Sequence, residues 1–240
     1  MIKIALIADL HANYPALSKI MTELVKEGVD QIFHLGDSIS IGCYPKECLD
    51  LLLVNEKVTM IMGNHEEYYV KGLEKPQPAS MSDEEFLHHK WTHSQLNDEI
   101  KDKVSEFPLR IDEKFYQTKI SFVHCPFYYE QSANFTYFKD LRNKTADELD
   151  VLCSDLDADI IAYGHTHIFS DLQGKKRYIN PGSVGCHEGS EAYYSIITLL
   201  KDRYELEHRR IAYDKAELIE KMEKRNVPDR ELIIKAFFRE

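Results

Sequence analysis

The first third of the chain alternates between two hydrophobic periods, and that alternation restricts the fold more than any other feature. Residues 2–8 form an apolar, β-branched run that reads as a buried strand. Residues 13–27 place Ala16, Leu17, Ile20, Met21, Leu24 and Val25 at helical spacing, with Pro15 in the first turn and Gly28 just past the end. Residues 31–35 read as a second strand, 45–53 as a second helix and 57–62 as a third strand. Strand–helix–strand–helix–strand of this kind calls for parallel strands joined by right-handed crossovers.

The middle of the chain is more helical and more polar. After the loop Pro76-Gln77-Pro78, the capping box Ser82-Asp83-Glu84-Glu85 predicts one long helix running to about Glu106. Residues 118–123 read as a strand. Thr145-Ala146-Asp147-Glu148 opens a helix to about Cys153, and 160–163 is a strand again. Beyond Gly164 come short strands at 168–171, 177–179, 192–199 and 204–210, a mostly antiparallel set, and two helices follow Asp214. No repeat, low-complexity tract or linker divides the chain. We therefore expect a single domain over 1–240, with a helical insert at about 66–108 and C-terminal helices at about 214–240. Two sheets, one seeded by each half, are expected to face one another with helices outside.

The charge balance is 30 basic against 41 acidic side chains, a net −11. It disfavours long nucleic acids and anionic membranes as partners, since both need clustered Lys and Arg. The apolar start of the chain stops at Asp9, too soon for a signal peptide, and no run approaches the ~20 residues needed to span a bilayer. Cys43, Cys48, Cys125, Cys153 and Cys186 are scattered, with no C-x-x-C pair, and read as small buried hydrophobes in a reducing compartment. The expectation is a cytoplasmic monomer or small homo-oligomer.

Chemistry in an open α/β sheet gathers beyond the carboxyl ends of its strands. Those ends read Asp9-Leu10-His11, Gly36-Asp37, Gly63-Asn64-His65-Glu66, His124 and Gly164-His165-Thr166-His167. Each piece alone is ordinary, but five in order at five strand ends are not. Asp-x-His and His-x-His on extended backbone would put both side chains on one face. The glycines before Asp37, Asn64 and His165 would let the backbone turn sharply and a ligand come close. Mixed nitrogen and oxygen donors suit divalent first-row metals. Seven donors are too many for one ion and fit two that share a bridging carboxylate.

These blocks resemble the calcineurin-like metallophosphoesterase superfamily, from residue 2 to about 200. Asn180-Pro181-Gly182-Ser183-Val184-Gly185, together with Trp91-Thr92, Gln95-Leu96 and Phe107-Pro108, is similar to its small prokaryotic phosphodiesterase branch. The resemblance implies a four-layer α/β/β/α sandwich with two facing mixed β-sheets. It implies two divalent metal ions, manganese, iron or similar, the first held by Asp9, His11, Asp37 and His167. The second would be held by Asp37, Asn64, His124 and His165, with Asp37 bridging. His65 would be the catalytic imidazole, with Glu66 as its orienting partner. Asn13, Asn64 and His65 would bind substrate, although Asn13 reads equally as a cap of the first helix. The implied activity is hydrolysis of small phosphodiesters, nucleotides or dinucleoside polyphosphates by attack of a metal-bridging hydroxide. The cations would supply the attraction for phosphate that the acidic total denies. A scaffold that has lost catalysis and a protein phosphatase are the alternatives; every ligand position is intact, and the chain is small.

Two departures from the family stand out. Ala12 replaces a usual glycine, and Cys186-His187-Glu188 falls where relatives often carry a basic residue. Among the other histidines, His34 reads as a packed core residue. His88, His89 and His93 read as a solvated or substrate-facing face of the insert helix, His187 as part of a surface loop, and His208 carries no signal.

Overall fold

The computed structural model describes residues 1–78, 81–126, 128–130, 135–138, 141–187 and 189–238. Glu188 lies outside the described residues.

Two mixed five-stranded sheets form the middle layers. The first contains β1 (Ile2–Ile7), β2 (Gln31–His34), β3 (Val58–Met60), β11 (Glu191–Leu199) and β12 (Tyr204–Ala212), in the order β12-β11-β1-β2-β3. β1, β2 and β3 are parallel, as the alternating periods require. The second contains β4 (Arg110–Phe115), β5 (Thr118–Val123), β8 (Ile160–Ala162), β9 (Ser170–Gln173) and β10 (Arg177–Asn180), in the order β4-β5-β8-β10-β9. Its centre, β5-β8-β10, is parallel and its edges antiparallel. A short hairpin, β6 (Tyr128–Glu130) and β7 (Thr136–Phe138), stands apart.

The sheets are not each seeded by one half of the chain, as the sequence had suggested. β11 returns to pair antiparallel with β1, and β12 pairs with β11, so chain from both ends builds the first sheet. Strand alternation then assigns the layers. Ile4 and Leu6 face the second sheet, where they join Ile120, Phe122 and Ile160. Ala5 and Ile7 point the other way, onto α1 (Tyr14–Glu27), α2 (Pro45–Leu53), α7 (Lys215–Lys224) and α8 (Arg230–Phe237). Phe33 and Phe122 stack across the sheet interface, ring centroids 3.7 Å apart. α6 (Ala146–Leu152) covers the far side of the second sheet through Leu149. His208 ties the sheets together, with Nδ1 2.8 Å from Ser195 Oγ and Nε2 3.0 Å from Asp171 Oδ2. Ser195 is fully buried, so this Ser–His–Asp line is structural.

Local signals explain most element ends. Asn13 Oδ1 accepts from Ala16 N to start α1, and Gly28, at φ +63°, closes it in the left-handed region. The insert departs from expectation. α3 (Asn64–Lys71) begins directly at the Gly-Asn-His block, and the long helix is two, α4 (Asp83–Ser94) and α5 (Asp98–Ser105). Asn97 caps the second by accepting from Ile100 N. Among the described residues, no helix is long and apolar enough to cross a membrane.

Candidate metal centre

The carboxyl ends of the parallel strands of both sheets meet at one rim, and the chain does not stay extended there. β1 stops at Ile7, and Asp9, His11 and Ala12 have φ of +52°, +49° and +52°. Asp37, His165 and His167 are left-handed as well, at +58°, +68° and +59°. The expected strand pleat therefore does not align Asp9 with His11 or His165 with His167; left-handed turns do. Such conformations cost of order 1–3 kcal/mol each and persist where surroundings over-determine them. Here the loops bind each other's main chain: Asp9 N donates to Gly36 O, His11 N to Asp37 O, and Ala12 N to Ser38 O. Ala12 is held in the left-handed region that glycine adopts freely and other residues seldom do.

The three glycines serve different ends. Gly36, at φ +94°, makes a turn that a side chain resists. Gly63 and Gly164 are not left-handed; they provide room. A Cβ on Gly63 would lie 2.2 Å from Asp37 Oδ1, and one on Gly164 3.1 Å from Ala8 Cβ.

Each site carboxylate is anchored by one oxygen and presents the other. Asp9 Oδ1 accepts from His165 N at 3.0 Å, and Asp37 Oδ1 from His65 N at 3.1 Å. Asp9 Oδ2 is buried with no hydrogen-bond partner. Asp37 Oδ2 lies 3.2 Å from His124 Nε2, 3.8 Å from His65 Nε2 and 4.0 Å from His11 Nε2. Asn64 Oδ1, His124 Nε2 and His165 Nδ1 form a triangle with every side 3.2 Å. His124 Nδ1 faces Leu35 O at 2.8 Å, so in the neutral ring the proton sits there and Nε2 is a lone pair. Lone pairs of an amide oxygen and an imidazole at this range repel unless a cation stands between them, and ligands around a first-row ion at about 2.1 Å subtend such separations. On the other flank, His11 Nε2 and His167 Nε2 are 2.8 Å apart, and His167 Nε2 is 4.0 Å from Asp9 Oδ1.

The titration of these groups carries the same demand for positive charge. Burial pushes Asp9 up to about 8, against the pull of His124 and with the help of Asp37. Burial opposes ionisation of Asp37 too, but His124 and His65 hold it well below the usual carboxylate range. His124, which burial alone would lower, is pushed up to about 9 by Asp37. Burial lowers His11 and His167, with further lowering from neighbouring imidazoles. The cluster thus draws a proton onto His124 to balance Asp37, and a divalent ion would meet the same need. The seven expected ligands, Asp9, His11, Asp37, Asn64, His124, His165 and His167, all reach this cluster.

Two side chains, Glu66 and Asn13, do other work than expected. Glu66 does not orient His65. Its Oε1 accepts from Ser38 N and Ser38 Oγ, both at 2.7 Å, and its Oε2 from Asp37 N at 2.8 Å and Gly63 N at 2.9 Å. As the third residue of α3 it holds the Asp37 loop, which corrects its expected catalytic place. Asn13 is fully buried; it caps α1, and its Nδ2 donates to Gly185 O at 3.0 Å, so it makes no substrate contact. His65 sits against Asp37 on one side and stacks on His89 on the other, centroids 5.0 Å apart. Burial, with nearby imidazoles, outweighs Asp37 and lowers His65 to about 3.

Sequence reasoning missed two contributors. Cys186 brings its Sγ within 4.8 Å of His11 and His167 ring nitrogens. Ser183 donates to Asp9 O at 2.7 Å and accepts from Cys186 N at 2.7 Å, which pins that loop to the site. The Asn-Pro-Gly-Ser block was the available signal. His88 and His89 are buried rather than solvated: His88 Nε2 accepts from Ile41 N at 2.8 Å and its Nδ1 lies 3.1 Å from Pro228 O. His187 stacks on Tyr193 at 4.2 Å. His34 is fully buried, and its Nδ1 accepts from Gly36 N.

Two facing mixed sheets with carboxylate, amide and imidazole donors at one shared rim define a phosphoesterase-type sandwich. A model of the calcineurin-like phosphoesterase superfamily domain matches residues 2–202, and the chain belongs to that superfamily. It is 26% identical over 245 residues to the uncharacterized protein MJ0912 of Methanocaldococcus jannaschii, with 94% of each chain covered. Among crystal structures, it resembles the hypothetical protein PH1004 from Pyrococcus horikoshii OT3, with a TM-score of 0.80 and 17% identity over 99% of this chain and 98% of that one. It also resembles a metallophosphoesterase from Sphaerobacter thermophilus, with a TM-score of 0.71 and 22% identity over 98% and 97%. The two structural likenesses establish the fold.

Proposed function

We propose that the protein is a metal-dependent phosphoesterase that hydrolyses small phosphodiester or nucleotide substrates at a site for two divalent ions. The observation that carries this reading is the 3.2 Å triangle of Asn64, His124 and His165, facing an Asp37 oxygen that also reaches toward His11 and His65. Asp37, Asn64, His124 and His165 would hold one ion. Asp9, His11 and His167, sharing Asp37, would hold the other, with Cys186 beside them. Divalent ions, when bound, stabilise charge on phosphoryl oxygens and make a nucleophilic hydroxide available near neutral pH.

The chain's own groups prepare that chemistry. The mutually bound loops fix the donors before any ion arrives, so no reorganisation is needed on binding. His65 is neutral in this environment, and a neutral imidazole still donates one N–H to a phosphoryl or leaving-group oxygen. Its stack on His89 holds the ring plane.

The test measures release of 4-nitrophenolate from a methyl aryl phosphodiester and an aryl phosphomonoester with Mn²⁺, before and after chelation, together with metal content per chain. We expect two ions per chain and loss of activity on chelation. His65→Ala should retain metal and lose at least a hundredfold in kcat. Activity that survives full chelation overturns the reading.

A further inference from the structure

The donor cluster does not say what the phosphoryl group is attached to, but the space beside it does. A cavity of about 450 Å³ opens from His65 and His167 and runs between α4 and α8. These two histidines belong to both the cavity and the donor cluster, and the Phe237 ring stands 6.0 Å from that of His167. A phosphoryl group held at the rim would therefore send one substituent into this space.

The lining selects the substituent. Ile41, Leu232, Ile233, Ala236 and Phe237 give an apolar surface. Facing it, His88 and His89 are buried; both ring nitrogens of His88 are already engaged. His89 Nε2 is buried without a hydrogen-bond partner, and its nearest charged group is Glu85 Oε1 at 3.8 Å. The charged lining residues are Glu85 and Asp229, both acidic, and among the described lining residues there is no lysine or arginine. Further phosphates would meet two carboxylates and, among the described lining residues, no lysine or arginine. The volume falls within the range of small-molecule sites, enough for a nucleoside and too little for a polymer.

We propose that this cavity receives the organic arm of the phosphoester, a nucleoside-sized, partly apolar group that is uncharged or cationic, and rejects arms that extend the phosphate chain. The inference deepens the phosphoesterase reading and rests on it for the position of the phosphoryl group. Nucleoside monophosphate esters are thus its substrates, and dinucleoside polyphosphates are not.

The test has a binding arm and a kinetic arm. Calorimetric titration of metal-free protein with adenosine should show saturable binding at millimolar concentration or below. ATP should bind at least tenfold more weakly. Ala236→Asp, at an exposed wall position, should weaken adenosine at least tenfold, and the double variant Glu85→Gln with Asp229→Asn should tighten ATP. In the metal-loaded enzyme, kcat/KM for thymidine 5′-(4-nitrophenyl phosphate) should exceed that for methyl 4-nitrophenyl phosphate at least tenfold, mainly through KM. Ala236→Asp should bring that ratio toward one. No adenosine binding, ATP binding as tight as adenosine, or a wild-type ratio near one would overturn the assignment. If adenosine binds as described but no aryl ester is hydrolysed, the phosphoesterase reading fails while the nucleoside cavity stands.

Discussion

Glu66→Gln separates a loop-holding carboxylate from a catalytic one. Four donors converge on Glu66: the amides of Asp37, Ser38 and Gly63 and the hydroxyl of Ser38. Burial and the charge of Asp37 raise its pKa against these donors. Four inward-pointing donors nevertheless have no use for a protonated acid. Glutamine keeps the shape but turns one acceptor into an NH₂. With the NH₂ toward Ser38, the hydroxyl can rotate to accept, and one buried amide loses its partner. With it toward Asp37 and Gly63, two amides do. A buried donor left unmatched costs about 1–3 kcal/mol, and the surviving bonds weaken from charged to neutral. The less costly orientation therefore loses about 2–4 kcal/mol. Urea unfolding of metal-free protein reads this directly, and Mn²⁺ titration should show affinity down about 10–100-fold, because the displaced loop carries Asp37. Unchanged stability and Mn²⁺ affinity, with only kcat reduced, would refute the argument and return Glu66 to the role of orienting His65.

Gly63→Ala places a Cβ 2.2 Å from Asp37 Oδ1 and 2.5 Å from Asp37 N, so overpacking should cost about 3 kcal/mol in thermal or urea unfolding and weaken Mn²⁺ in calorimetry. Asn13→Ala removes a helix cap and the bond to Gly185 O; it should lose about 2 kcal/mol while leaving KM for a methyl aryl diester unchanged, and a raised KM would restore Asn13 to the substrate site. Burial, with the charges of His89, Lys90 and Lys101, lowers His93 to about 3. Between pH 6.5 and that value the unfolded chain binds the proton and the folded chain does not, so stability is lost as pH drops through this window, by up to about 1.4 kcal/mol per pH unit. His93→Leu should flatten the urea midpoint against pH by that amount, and an unchanged slope would show that His93 titrates freely.

How much of the site was legible depended on the range of the interactions. The donors themselves were readable, since each follows a strand whose end the apolar runs mark: Asp9 after β1, Asp37 after β2, His124 after β5. The break between α4 and α5 was not read, because the helical composition on both sides masked the cap at Asn97. Glu66, Asn13 and Cys186 each have a partner 28 or more residues away that was not legible: Asp37 and Ser38, Gly185, and His11. No local pattern encodes such a contact.

The sequence by itself therefore determined the element types, the parallel core and the list of metal-competent side chains, because periodicity, caps and strand ends are local properties of the chain. Tertiary structure alone decided that β11 returns beside β1. It decided that left-handed turns rather than strand pleat aim Asp9, His11, His165 and His167. It also decided that α8 and α4 close a cavity with no lysine or arginine among its described lining residues. Each of these depends on mutual burial and main-chain bonding between distant segments, which holds the backbone in conformations that the local sequence does not favour.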